Sequence, residues 1–177
     1  MTWRAFIPVV AFAALVVLLS LGLREDPSVL PSPFIGKPAP KLDLPTLEDP
    51  SKRITNADFA NRTVLVNVWA TWCVGCRQEH PFLLELSKSN TIPIYGINWR
   101  DTPAEADSWL QQLGDPYVEC GDDRDGRTGI DWGVYGAPET FLIGANGEVL
   151  HKHLGPLSRE DWERDFVPLI KAQEPGS

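Results

Sequence analysis

Apolar positions fall into three patterns along the chain. From residue 5 to residue 23 the sequence reads "AFIPVVAFAALVVLLSLGL", nineteen residues with no charge, close to the roughly 20 a helix needs to cross a bilayer. Arg4 and the amino terminus precede it, which favours a cytoplasmic N-terminus over residues 1–4. A cleaved signal peptide would have a shorter apolar region and a small-x-small site after it; here the run passes into "LGLREDPS". The expectation is an uncleaved signal anchor over residues 5–23. Residues 24–50 then carry Pro27, Pro31, Pro33, Pro38, Pro40, Pro45 and Pro50. Proline removes backbone donors and fixes φ, so this stretch is expected to form neither a helix nor a central strand. Residues 24–40 read as a semi-rigid tether; at ~3.1 Å per residue, fifteen extended residues reach roughly 45 Å.

Beyond residue 40 the period changes. "TVLVNVWA" over residues 63–70 is a continuous β-branched run, the pattern of a strand buried on both faces. "RQEHPFLLELSKS" spaces Phe82, Leu83 and Leu86 helically, with Pro81 expected to kink it. "IPIYGIN" over residues 92–98 is a second buried strand, so the three pieces form a βαβ unit with parallel strands. Thr102, Pro103, Glu105 and Gly114 mark the cap, first turn, capping box and end of the next helix. "PYVEC" is a short strand candidate, and "APETFLIGANGEVLHKHLG" gives two strands around Asn146 and Gly147, a hairpin signal. Ser158 and Asp161 form a capping box, with Leu157 and Trp162 as a hydrophobic staple, for a last helix running toward Pro168. The expected fold is α/β: one mixed central sheet flanked by helices on both faces, over residues 41–172, with residues 173–177 a disordered tail. That is the thioredoxin layout.

Composition narrows the function more than the fold. The formal charge is -8 and the sequence pI about 4.8; without a cluster of Lys and Arg, nucleic acid is not an expected partner. The 43% hydrophobic content and seven Trp suffice for a packed core.

The candidate chemistry lies in "NVWATWCVGCRQEHP", where Cys73 and Cys76 follow Trp72. Four readings compete. Structural zinc needs four ligands; only Cys120, His80, His151 and His153 remain, none paired in spacing with Cys120. His151 and His153 share one face of a hairpin strand, and all three histidines are expected to be exposed polar side chains. No metal is assigned. Covalent haem attachment needs His after the second cysteine, and Arg77 stands there. A structural disulfide is permitted by an oxidising compartment but closes too short a loop to stabilise much. Redox exchange remains. Cys73 falls where a strand gives way to a helix, and the unsatisfied N–H groups there favour a thiolate. That thiolate can attack a partner's disulfide; Cys76, a turn further on and more covered, then resolves the mixed disulfide. Cys120 is expected to be a buried small hydrophobe. "DDRDG" lacks the acids an EF-hand loop needs at Gly121 and Trp132 and is rejected as a calcium site.

Together, "IGKPAP", "LVNVWATWCVGCRQEHPFL", "IYGINWRD", "WLQQLGDPY" and "WGVYGAPETFLIGANGEVLHKHLGPL" resemble a family. It is the membrane-anchored, thioredoxin-like thiol:disulfide interchange proteins of cytochrome c maturation (CcmG/DsbE). The resemblance covers residues 35–170. It implies a reductant that keeps the haem-attachment CxxCH cysteines of apocytochrome c reduced, directly or through a CxxC-bearing assembly factor. A membrane thiol transporter would recharge it, no cofactor beyond the cysteine pair is implied, and the domain would face the periplasm from the bacterial inner membrane. In thioredoxin-like folds a cis proline faces the CxxC, which places Pro138 there, with Trp72 and Ala137 beside it as substrate-contacting positions. Family acidic residues map onto Glu79 and Glu139, where a carboxylate could tune a thiol or move a proton. At Asn67, six before Cys73, general thioredoxins carry a buried acid, so proton handling must fall to other groups. The Val74-Gly75 dipeptide lacks the proline often found between such cysteines and leaves the redox poise open. Two other readings stay open: a general periplasmic oxidase or isomerase, and a non-catalytic module that presents apocytochrome.

Overall fold

The computed structural model describes residues 7–22 and 34–173, in two units that divide after Pro31. The first holds one helix, α1 (Ile7–Gly22), of 16 residues and without a charged side chain. No described helix is long and apolar enough to cross a membrane. The expected anchor over residues 5–23 runs past α1 at both ends, onto residues 5, 6 and 23 outside the described set. Residues 1–4, the tether over residues 24–33, and residues 174–177 of the tail also lie outside the described residues.

The second unit is built on a five-stranded sheet. In chain order its elements are β1 (Asp43–Pro45), β2 (Arg53–Thr55), β3 (Val64–Trp69), α2 (Val74–Lys88), β4 (Ile94–Trp99), α3 (Pro103–Leu113), β5 (Glu119–Asp123), α4 (Arg127–Asp131), β6 (Glu139–Ile143) and β7 (Val149–Leu154). A last helix is assembled from α5 (Arg159–Asp161), a π turn (Trp162–Phe166) and α6 (Val167–Lys171). The sheet order is β5-β4-β3-β6-β7; β3, β4 and β5 are parallel, while β6 and β7 are antiparallel to their neighbours. The mixed sheet, the parallel pair and the hairpin around Gly147 are thus as the apolar pattern predicts.

Strand alternation sorts the core. Val64, Val66 and Val68 of β3 join Tyr95, Ile97, Trp99, Phe141 and Ile143 on one face. Leu65 and Trp69 point the other way, toward α2 and α3 respectively. Two right-handed crossovers in the same direction place α2 and α3 on that second face, and the last helix packs there through Trp162 and Phe166. The long helices therefore occupy one face only. The other is closed by Leu44 and Ile54 of the β1–β2 ribbon, Phe59 of a 3-10 turn, and Trp132 just after α4. Helices thus stand on both faces as expected, with only the short α4, against Trp99, and the 3-10 turn on the latter.

Other differences have local causes. Residues 34–40, assigned to the tether, belong to this unit: Gly36 N donates to Val149 O at 2.9 Å and Ala39 N to Gly147 O at 2.9 Å, while Phe34 packs on the core. The edge of the hairpin offers carbonyls that such a segment can use despite its prolines. The strand expected at "PYVEC" starts later and runs into "GDD", because pairing with β4 continues to Trp99 opposite Asp123. At α3 the Thr102 hydroxyl caps Glu105 N, but the reciprocal bond is absent: Thr102 N donates to Asp101 Oδ1 at 2.9 Å. Pro81 lies inside a helix that runs unbroken over Val74–Lys88. The last helix passes Pro168 by opening into the π turn just before it, which accommodates a residue with no N–H and a ring that crowds the preceding turn.

Candidate active site

Cys73 is the N-cap of α2, with φ -85° and ψ 113°, and its Sγ accepts a hydrogen bond from Cys76 N at 3.0 Å. The strand-to-helix junction thus puts a sulfur where a helix's unsatisfied donors converge. The two cysteines are joined as a disulfide with Cα atoms 5.3 Å apart. Both are buried, Cys73 at 5% and Cys76 at 2% exposure, so the expected contrast in cover is small. Access is set by the neighbours instead. Trp72 and Val74 on either side of Cys73 are exposed, at 54% and 73%.

The Ala137–Pro138 peptide bond is cis. Pro138 touches the CxxC through Gly75: a Cβ added there would lie 2.8 Å from Pro138 Cδ and 3.1 Å from Pro156 Cγ. The glycine between the cysteines is therefore a close-packing residue. Any side chain must displace Pro138, which no reading of spacing could show. Ala137 is half-buried against the core beside it. The loop before the pair is held by Asp101, whose carboxylate accepts from Thr71 N at 2.6 Å, Thr71 Oγ1 at 3.0 Å and Asn98 Nδ2 at 3.1 Å. Trp72 Nε1 donates to Arg100 O at 3.1 Å. Cys73, Cys76, Trp72, Ala137 and Pro138 are thus brought to one end of the sheet.

The two acidic positions are not equivalent. Glu79 lies one turn past Cys76 on the same side of α2 and is 2% exposed. Its Oε1 accepts from Asn67 Nδ2 at 2.8 Å and its Oε2 from Leu157 N at 2.8 Å. Burial pushes its pKa up to about 7, the two hydrogen bonds opposing that rise only in part. Asn67 reaches it because β3 alternation turns positions 65, 67 and 69 toward the face that carries α2 and α3. Asn67 Nδ2 also donates to Thr140 Oγ1 at 3.0 Å, and Tyr117 OH donates to Asn67 Oδ1 at 2.8 Å. Burial raises the Tyr117 hydroxyl well above its ordinary value, so it remains a donor.

Glu139 is one residue past Pro138 but faces the opposite side of the sheet, with Phe141 and Ile143. It forms a buried ion pair, Lys152 Nζ lying 2.9 Å from Oε2, and its Oε1 accepts from Tyr135 N at 2.7 Å and Gly136 N at 3.2 Å. Its contacts fix the loop that delivers Pro138.

A redoxin family model matches residues 34–167. The thiol:disulfide interchange protein DsbE of Allochromatium vinosum is 44% identical over 173 residues, covering 98% of this chain and 96% of that protein. The DsbE of Pseudomonas aeruginosa is 47% identical over 165 residues, covering 93% and 91%. The chain belongs to the DsbE family. It is a thiol-disulfide oxidoreductase of thioredoxin-like fold, and Cys73 and Cys76 are its redox pair. A crystal structure of a thiol:disulfide interchange protein DsbE from Chlorobium tepidum superposes with a TM-score of 0.62 at 27% identity, over 77% of this chain and 92% of that one.

Against this DsbE background, the histidines correct the sequence reading. None of the three is an exposed side chain. His80 is 3% exposed, its Nε2 2.9 Å from Gly114 O and its ring edge-on to Trp109; burial lowers its pKa and keeps it neutral. His151 and His153 are half-buried. Cys120 is a buried free thiol that accepts from Trp69 Nε1 at 3.2 Å, and burial pushes its pKa up, so it is no nucleophile in this DsbE-family chain. Asp101 and Tyr117 were not singled out from sequence, and Gly75 was noted there for redox poise, not for its packing against Pro138. Their one signal was proximity to the CxxC or its flanking strands.

Proposed function

We propose that this DsbE-family oxidoreductase reduces disulfides in the haem-attachment CxxCH of apocytochrome c, directly or through a CxxC-bearing assembly factor. The observation that carries the exchange chemistry is Cys73 Sγ at the α2 N-cap, bonded to Cys76 N and packed through Gly75 against cis Pro138. In the reduced protein the Cys73 thiolate attacks one sulfur of the substrate disulfide and forms a mixed disulfide, the other substrate sulfur leaving as thiolate. Cys76 then loses its proton and attacks Cys73 Sγ, which releases the second substrate thiol and regenerates the Cys73–Cys76 bond. Glu79, titrating near neutrality one turn from Cys76, accepts that proton, and Asn67 and Leu157 N orient the carboxylate. Trp72 and Val74 form an exposed apolar rim for the substrate chain, with Ala137 and Pro138 opposite. The cytochrome assignment is supported by the family resemblance over residues 35–170.

The domain would then face the periplasm, held to the inner membrane by residues 5–23 and recharged by a membrane thiol transporter. Nineteen uncharged residues in a row support the anchor. A Cys76→Ser chain should accumulate a mixed disulfide between Cys73 and an apocytochrome or its assembly factor, detected by diagonal electrophoresis under turnover. Adducts with secreted proteins at large, and none with a cytochrome precursor or its assembly factor, would overturn the substrate assignment.

A further inference from the structure

The described residues hold a second cluster with ligand chemistry, and it shares no residue with the redox site. On β7, His151 pairs with Leu142 and His153 with Thr140, so both imidazoles project from the face that carries α2 and the last helix. Asp165, in the π turn of that helix, meets them. One ring nitrogen of each histidine and one carboxylate oxygen of Asp165 all lie within 4.8 Å of one another. Fully buried Phe166 packs edge-on to both, with centroids 4.9 Å from His151 and 6.3 Å from His153.

We infer that His151, His153 and Asp165 form a binding site for a borderline divalent transition-metal ion, with Zn²⁺ as the representative, that ties the last helix to β7. Two imidazoles and one carboxylate are the donor set such ions prefer, whereas Ca²⁺ and Mg²⁺ take all-oxygen shells. Adjacent ligands of a tetrahedral zinc stand about 3.3 Å apart, given bonds of roughly 2.0 to 2.1 Å. The cluster therefore closes by about 1.5 Å at most, a movement within reach of side-chain rotation. Asp165 already holds Arg164, through Nε to Oδ1 at 2.9 Å and Nη2 to Oδ2 at 2.6 Å. A carboxylate offers about four lone-pair positions, so it can serve the guanidinium and an ion together. The fourth position is left to water or to Asp161, whose Oδ2 stands 4.0 Å from His153 Nε2.

The test uses the full chain without a histidine tag, stripped with chelator and kept disulfide-bonded so that Cys73 and Cys76 cannot ligate. Titration with Co²⁺ should give one equivalent of visible d–d absorbance of four- or five-coordinate intensity, removed by Zn²⁺. Zn²⁺ should also raise the thermal midpoint. His151→Ala, His153→Ala and Asp165→Asn should each weaken binding at least tenfold and abolish that rise, with circular dichroism unchanged. Should a histidine variant lose its fold, Asp165→Asn decides alone, because it removes the charge and keeps the shape. Absence of Co²⁺ and Zn²⁺ binding in the parent, or binding undiminished in Asp165→Asn, would overturn the site.

Discussion

The exchange chemistry proposed above gives Glu79 the proton that Cys76 loses, a task general thioredoxins place on the strand before the cysteines. Here position 67 is Asn, and the acid comes from α2 to meet it. A folded pKa of about 7 against an ordinary value of 4.5 means the native state keeps a proton that the unfolded chain has lost. The stability this contributes is full below about pH 4.5 and is lost as pH rises through about 7, on the order of 3 kcal/mol across that window. Glu79→Gln should flatten that slope in urea unfolding of the oxidised protein measured over a pH series. An unchanged slope would show that the carboxyl titrates normally. The absolute stability of the variant will also shift, because an amide offers one acceptor where Asn67 and Leu157 N supply two donors. Residue-level chemistry was legible only in part: Cys73 and Cys76 could be named from spacing, and Glu79 from resemblance. The burial of Glu79 and of His80 depends on how β3, α2 and α3 meet, and no local pattern encodes that.

At the scale of elements, β6 separates two kinds of acid. Thr140 faces α2 and joins the Asn67–Glu79 network, while Glu139 faces away and pairs with Lys152 of β7. Both partners are nearly inaccessible, at 3% and 2% exposure of the side chain. Removing one leaves an unpaired buried charge, whose cost is about 3 to 5 kcal/mol. Lys152→Met should therefore lower stability by about that amount in guanidinium unfolding, and adding Glu139→Gln should recover much of it. A loss below about 1 kcal/mol, the range of an exposed pair, would place the pair in solvent. Strands β3, β4, β6 and β7 were readable because continuous or alternating apolar runs leave few alternatives. The start and end of β5 were not, since Asp122 and Asp123 disfavour a strand on propensity. Pairing with β4 overrides that preference, and Asp123 uses its carboxylate on Thr128 N at 3.0 Å and Gly129 N at 2.8 Å. The three-residue strands β1 and β2 were too short to show a period.

For the whole molecule, family membership and the βαβ frame place one redox pair at the end of a sheet whose long helices share a face. The one-sided arrangement follows from two crossovers of the same hand, information that strand spacing alone does not hold. The proposed anchor belongs to this scale. The full chain should sediment with membranes and resist carbonate extraction, whereas a chain with residues 1–23 replaced by a cleavable signal should be released as soluble protein. Release of the full chain by carbonate would remove the tether from the account.

The central claim is that the N-terminus of α2 holds Cys73 as a thiolate ready to attack. Ultraviolet titration of thiolate absorbance in the reduced protein, with Cys76→Ser isolating Cys73 and Cys120 silent at neutral pH, measures this directly. The expected result is an apparent pKa clearly below the ~8.5 of a free cysteine. A value at or above that of a free cysteine would contradict it.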